Sequence, residues 1–316
     1  MELSTPPLDA VSTGAKLSYI KEVVNTHMNI IQLYKRFPTQ EDCRAHIEAV
    51  RWNGKAKCPY CKSFRVSALP KEHRHHCNNC KTSFSATVGT IFHKSKVDMQ
   101  KWFLAIALVL NAKKGISARQ LARDIEVNKN TAWLMLMRVR KAMVEDNTLL
   151  QGIVEADETY IGGKEKNKHK DKRTNLGRGA VGKTPVFGLM ERGGKVRARK
   201  VKVADAKTLH ALIKTHVKSG SHMMTDEWGG YYGLAQKKFG HSVVRHSRGK
   251  YVDGIAHTNT IEGFWALLKR GIHGQYHHIT DKHLNAYINE FCFRYNNRAN
   301  ADAFGLLLGR SVSFTK

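Results

Sequence analysis

The stretch GIVEADETYIGG, residues 152–163, reads as a β-strand, and its reading decides the C-terminal half of the chain. Alternate side chains of a strand point to opposite faces, so Glu155 and Asp157 share one face and Glu158 points to the other. Outward from this strand the texture is α/β. Pro185–Glu191 and Lys195–Val203 read as strands joined through Gly193-Gly194, a hairpin signal. Asp205–Ser219 is an amphipathic helix with Leu209, Leu212, Ile213 and His216 or Val217 inward. Ser221–Asp226 and Ser242–His246 are further strands, and His257–Arg270 and Thr280–Asn297 are helical. This order predicts a mixed central sheet flanked by helices.

The chain has 316 residues, 53 Lys+Arg against 26 Asp+Glu, a formal charge of +27, and 41% hydrophobic residues. That is enough apolar material for real cores and argues against a disordered basic protein. The longest apolar run, Phe103 to Leu110, falls far short of the roughly 18 residues that span a bilayer. The N-terminus, MELSTPPLDAV, lacks the pattern of a signal peptide, so a cytoplasmic protein is expected, with no membrane partner. A charge of this size calls for a polyanionic partner, DNA or RNA first, against the plain alternative of a solvated basic surface.

Four of the six cysteines form Cys58-Pro-Tyr-Cys61 and Cys77-Asn-Asn-Cys80, fifteen residues apart. C-x2-C-x15-C-x2-C is zinc-ribbon spacing, and four thiolates close the coordination sphere, so one structural Zn²⁺ is expected. His73, His75 and His76 are alternative ligands but read better as exposed polar residues. Cys43 and Cys292 read as reduced buried side chains.

Thr39-Gln-Glu-Asp42 resembles a capping box opening a helix to about Val50, with Cys43, Ile47 and Val50 on one face. Asp98–Lys113 is a helix apolar enough to be buried. Ser117-Ala-Arg-Gln120 is a second capping box; Asn128 or Asn130 caps the helix that follows it. The pair fits a helix-turn-helix, with Arg119, Lys129 and Arg138 as DNA-contact candidates. The predicted organisation is a tail and helix over 1–50, the ribbon over 51–92 and the helix-turn-helix region over 93–148. An α/β domain over 149–300 and a C-terminal tail over 301–316 follow.

Asp157 near the end of the first α/β strand, Asp226 at the end of a later one, and Glu262 early in a helix can converge on one point. Carboxylate oxygens there suit hard cations, and paired Mg²⁺ ions clamp the two oxygens of a phosphoryl transfer. Glu155 is a reserve ligand on the Asp157 face and Glu158 a weaker one. Asn259, three residues before Glu262, offers an amide oxygen. Lys269 lies two turns after Glu262, placed to hold a phosphate. Residues 162–184 hold eight Lys/Arg against two acids, a basic loop whose Lys164, Lys166, Lys168, Lys170, Lys172 and Arg173 are candidates for gripping DNA phosphates. Trp228, Tyr231 and Tyr232 offer base stacking, or core packing under the sheet.

DETYIGGK (157–164), TDE (225–227), HTNTIEGFW (257–265), KRG (269–271) and FCFRYNNR (291–298) together resemble bacterial insertion-sequence transposases of the zinc-ribbon DDE group related to Merlin elements. The likeness runs from Phe37-Pro-Thr39 through the ribbon to Arg298. It implies an RNase H-like catalytic domain with Asp157, Asp226 and Glu262 as ligands of two Mg²⁺ or Mn²⁺ ions, Asp157 bridging them. The third ligand in this group is sometimes an Asn, so Asn259 and Glu262 both stand. Arg270 beside Lys269 joins the DNA-contact set. The implied activity is binding of terminal inverted repeats, DNA cleavage and strand transfer by a homodimer or higher oligomer at the nucleoid. The rival readings are a zinc-ribbon regulator with a silent RNase H-like domain and a nuclease on RNA–DNA hybrids.

Overall fold

The structure, a computed structural model, describes residues 28–163, 169–173, 182–235, 238–244 and 257–313. Two helices open it, α1 (Ile30–Arg36) and α2 (Gln40–Trp52), each held by a reciprocal capping box, Asn29 with Gln32 and Thr39 with Asp42. Cys43 and Ile47 of α2 are buried as expected, but Val50 is exposed. The last turn of α2 leaves the helical core there, and Trp52 packs on the ribbon through His75 and Phe84.

The ribbon is an antiparallel sheet of β1 (Val66–Leu69), β2 (Arg74–Cys77) and β3 (Ser83–Phe84). His75, expected on the surface, is buried, stacked on Phe84 and bonded to Glu48 of α2 at 3.1 Å. It joins the ribbon to the helices and is no metal ligand. The apolar helix α3 (Met99–Asn111) lies at the centre of the N-terminal half, against α4 (Ala118–Asp124) and α5 (Lys129–Ala142). Ser117 accepts from the Gln120 N–H, but Gln120 turns its own side chain to Asp124 and Arg123, so that capping box is half formed. Asn128, not Asn130, caps α5.

The C-terminal half is built on β4 (Ile153–Ile161), β5 (Thr184–Glu191), β6 (Val196–Lys200), β7 (His222–Asp226) and β8 (Gly240–Val244). Their order is β6-β5-β4-β7-β8; β4, β5 and β6 run antiparallel, and β7 and β8 are parallel to β4. A meander of three strands extended by two parallel ones, order 3-2-1-4-5, is the RNase H-like arrangement that the resemblance implied. α6 (Ala206–His216) covers one face over Val154, Ala156, Phe187 and Leu189. α7 (Asn259–Gly271) and α8 (Leu284–Asn296) cover the other over Ile161, Val186 and Met190.

β6 is an edge strand, and α8 closes that edge with side chains. Asn296 accepts from the Val196 N–H at 2.7 Å and donates to its carbonyl at 2.9 Å, and Asn285 accepts from the Lys200 N–H at 2.8 Å.

Residues beyond 301, expected as a tail, instead form α9 (Ala303–Ser313). Its Phe304, Leu307, Leu308 and Val312 complete the core of the N-terminal helices. A tail cannot bury four large apolar residues on one helical face; their spacing is the signal that marks a helix.

Candidate active site

Register places the first two acids. Glu155 pairs with Met224 in the parallel β4–β7 ladder, so two residues further along each strand Asp157 and Asp226 stand level. Glu262 comes from the first turn of α7, which packs on the β4 face carrying Asp157. Trp265, one turn on, donates its indole N–H to Asp157 at 3.0 Å. The ring has room because β5 offers Gly188 directly across from Asp157; a methyl group there would press on Trp265 (2.6 Å to Cη2) and Ile261 (3.0 Å).

Burial pushes the Asp157 carboxyl up to about 6, and the negative charges of Asp226 and Glu262 add to the rise. Asp226 accepts from the Trp228 main-chain N–H, and Glu262 from the Thr258 hydroxyl at 2.9 Å. Asp226 and Glu262 are close enough to Asp157 for their charges to add to its cost of ionisation. Even so, among the described residues only the four cysteines bring their ligand atoms within 4.8 Å of one another. Three hard oxygen donors on neighbouring elements, one of them half-buried and averse to its own charge, fit Mg²⁺ or Mn²⁺ in their chemistry.

Glu158 points away from Asp157, as alternation requires. It accepts from the buried Tyr231 hydroxyl at 2.6 Å, and burial pushes its carboxyl up to about 7. Tyr231 is thus a core residue, whereas Trp228 and Tyr232 are exposed beside Asp226. Asn259 is exposed at the start of α7, and Lys269 and Arg270 lie in its last turn.

In the ribbon, Cys58 and Cys80 Sγ lie 3.7 Å apart and Cys61 and Cys77 Sγ 3.5 Å apart. A tetrahedron with Zn–S of about 2.3 Å has edges of about 3.8 Å, so the four sulfurs fit Zn²⁺. Each C-x-x-C turn is followed by a lysine in the left-handed region, Lys62 (φ 63°) and Lys81 (φ 57°). The two knuckles share one hydrogen-bond pattern: Cys58 N–H to Ser63 and Cys77 N–H to Thr82. A backbone bond at Ser63 draws the Cys61 thiol down to about 6. Cys43 and Cys292 are unpaired and buried, as expected.

Of the DNA-contact candidates, Arg119 and Lys129 are exposed on the helix pair. Arg138 spends its guanidinium on the carbonyls of Ile91 and His93, at 3.1 and 2.8 Å, which ties the ribbon's outgoing chain to α5. Beside it a groove of about 670 Å³ runs between the first knuckle (Pro59, Tyr60), α5 (Trp133, Leu134, Lys141) and His283. Lys170 and Arg173 are exposed around a short turn that includes Lys172. Lys164, Lys166 and Lys168 lie outside the described residues, as does the end of the strand predicted to reach His246.

Sequence reasoning missed three partners of the site: Trp265, Gly188 and Arg192, whose guanidinium meets Glu155 at 2.8 Å. Trp265 was open to inference, since it lies one helical turn after Glu262.

The sheet order, the acids at its rim and the ribbon together define a nucleic-acid-handling enzyme with an RNase H-like fold. Residues 149–296 match the ISXO2-like transposase domain and residues 38–83 the transposase zinc-ribbon domain. The two matches take in more than half of the chain, which belongs to this zinc-ribbon transposase family. It is 28% identical over 273 residues to an uncharacterized protein in transposable element ISH50 of Halobacterium salinarum, covering 82% of this chain and 92% of that protein. A chain from a simian T-cell lymphotropic virus intasome, solved by cryoEM in complex with the PP2A regulatory subunit B56 gamma, overlaps 59% of this chain. Identity there is 14%, the TM-score is 0.27, and 64% of that chain is spanned, slightly less than two thirds. At that score the likeness bears on neither fold nor function. No helix among the described residues is long and apolar enough to cross a membrane.

Proposed function

We propose that the chain binds the terminal inverted repeats of an insertion sequence and carries out metal-dependent DNA cleavage and strand transfer, as a homodimer or higher oligomer at the nucleoid. The observation that carries this reading is the placement of Asp157, Asp226 and Glu262 on two neighbouring strands and a facing helix, where burial, helped by the charges of Asp226 and Glu262, pushes Asp157 up to about 6. These three would hold two Mg²⁺ or Mn²⁺ ions, with Asn259 as the rival for the third position. Bound there, the ions supply Lewis acidity to the scissile phosphate and lower the pKa of the attacking water or 3′-OH.

The chain's own side chains do the rest. Trp265 fixes the Asp157 carboxylate through its N–H, leaving the other oxygen to face the site. Lys269 and Arg270 offer cations to the phosphates flanking the cut. Exposed Trp228 and Tyr232 offer faces on which an unpaired terminal base can stack. The ribbon–α5 groove, with Tyr60 and Trp133 between Lys94 and Lys141, suits duplex DNA: cations for phosphates, aromatic and apolar groups for base edges.

The test is full-length protein with Mg²⁺ on DNA ending in the element's inverted repeats. Nicking and joining are expected. Asp157→Asn, which keeps an acceptor for Trp265, should bind the same DNA and lose the chemistry. Strand transfer retained by Asp157→Asn would sink the assignment, and cleavage of an RNA–DNA hybrid in preference to repeat-ended duplex would replace it.

A further inference from the structure

Glu155 lies two residues before Asp157 on the same face of β4, and its side chain is completely buried. Four donors converge on its two oxygens. Oε2 accepts from the main-chain N–H groups of Thr260 at 2.9 Å and Ile261 at 3.0 Å. Oε1 accepts from the Thr260 hydroxyl at 2.9 Å and from Arg192 Nε at 2.8 Å. His257 Nδ1 lies 3.2 Å from the same oxygen. A carboxylate has about four lone-pair positions. All four are spent, so Glu155 has none left for a cation.

The donors matter as much as the acceptor. Thr260 and Ile261 are the two residues directly before Glu262, and their N–H groups belong to the first turn of α7, where a helix has no acceptors of its own. Thr258, at the N-cap, offers no side-chain acceptor to the free N–H groups of this turn; its hydroxyl donates to the Glu262 carboxylate instead. The cap is supplied from the neighbouring strand. Arg192, which balances the Glu155 charge, also donates from Nη2 to the His257 carbonyl at 2.7 Å, and its main-chain N–H bonds to Ile153 of β4. The approach to α7 and its first turn are therefore fastened to β4 at the level of Asp157.

We infer that Glu155 is a positioning residue: from the strand that bears Asp157 it clasps the first turn of α7 and so fixes where Glu262 stands. The inference rests on the reading of Asp157 and Glu262 as the metal-holding acids. It removes Glu155 from the ligand set and gives the buried charge a different task.

The experiment compares full-length Glu155→Gln, Thr260→Val and Thr260→Ser with the parent, first in metal-free buffer by amide hydrogen exchange. In Glu155→Gln the amides of Thr260, Ile261 and the rest of the first turn of α7 should exchange about tenfold faster or more, while β4 and β5 keep their protection. Mn²⁺ affinity should fall, and kcat for repeat-ended DNA should fall at low metal with KM for the DNA unchanged. Thr260→Val should show the same pattern more weakly, and Thr260→Ser should restore it. If Glu155→Gln does not fold, the Thr260 pair decides on the same readouts. Lost Mn²⁺ binding with unchanged amide exchange would make Glu155 a ligand and overturn the inference. Should the parent protein cleave no DNA while the exchange and Mn²⁺ results hold, the clasp stands and only the enzymatic reading fails.

Discussion

Arg140 of α5 and Glu290 of α8 form an ion pair, Nε to Oε2 at 2.6 Å, with 1% and 0% of their surfaces exposed. Tyr276 donates its hydroxyl to the same carboxylate, and the Arg140 guanidinium lies over the Tyr287 ring at 3.8 Å. α5 is thus fixed through its inner face to the C-terminal α/β half. Removing Glu290 leaves the Arg140 charge buried and unpaired, at about 3–5 kcal/mol, whereas Glu290 without Arg140 keeps Arg294 at 3.3 Å. Glu290→Gln should lower the unfolding free energy from urea titration by that amount and Arg140→Met by less, whereas the double variant Arg140→Met/Glu290→Leu should recover part of the Glu290→Gln loss.

The same pair sets a pH dependence. Burial works to raise the Glu290 carboxyl, but Arg140 and Arg294 outweigh it and hold the group below its ordinary 4.5. The unfolded chain therefore takes up this proton more readily than the folded one. The stability owed to Glu290 is present above the ordinary value and is lost as pH falls below it. Denaturation midpoints from pH 6 down to 3 should fall more steeply in the parent than in Glu290→Gln.

Gly188 has no functional group, yet Gly188→Ala should damage the site. The added methyl displaces Trp265, and with it the hydrogen bond to Asp157 and the seat of α7. A loss of about 1–3 kcal/mol is expected from overpacking. DNA cleavage should fall further than the stability change alone accounts for, with DNA binding kept, as measured by gel shift and cleavage on one preparation.

Zinc should be present at one ion per chain by elemental analysis, and Cys77→Ser should lose it. Chelation removes about 10–16 kcal/mol of metal-linked folding energy from such a site. The ribbon amides from Val66 to Phe84 should then lose protection, while β4 to β8 keep theirs.

In the groove beside the first knuckle, Lys141→Ala should reduce the salt slope of DNA binding by about one. Trp133→Ala with Tyr60→Ala should weaken binding without changing that slope. An unchanged affinity in the aromatic double variant would remove the groove from the DNA interface.

The α/β half was legible because its strands and helices keep their periods cleanly: Glu155 and Asp157 do face one way and Glu158 the other. The two knuckles were legible because C-x2-C spacing leaves few alternatives. What escaped depended on contacts between residues far apart in sequence. Asn285 and Asn296 read as ordinary polar helix residues until the edge of β6 is set beside them. Glu155 read as a reserve ligand, and nothing local reveals that α7 brings three donors to it, 105 and 106 residues away. Arg140 did leave a trace, a charge among the inward positions Leu136, Val139 and Met143. A tail over 301–316 was expected although Phe304, Leu307 and Leu308 already carried helical spacing.

The side-chain seal that Asn285 and Asn296 lay along β6 limits how copies of this chain can join. A sheet grows into a fibre when both outer strands accept a newcomer. Here β6 has its main-chain groups engaged at Val196 and Lys200, and among the described residues β8 is the outer strand that no other element hydrogen-bonds along its far side. Among the described residues, strand addition to the five-stranded sheet is thereby confined to its β8 side, and a sheet open on one side only cannot be lengthened into a fibre.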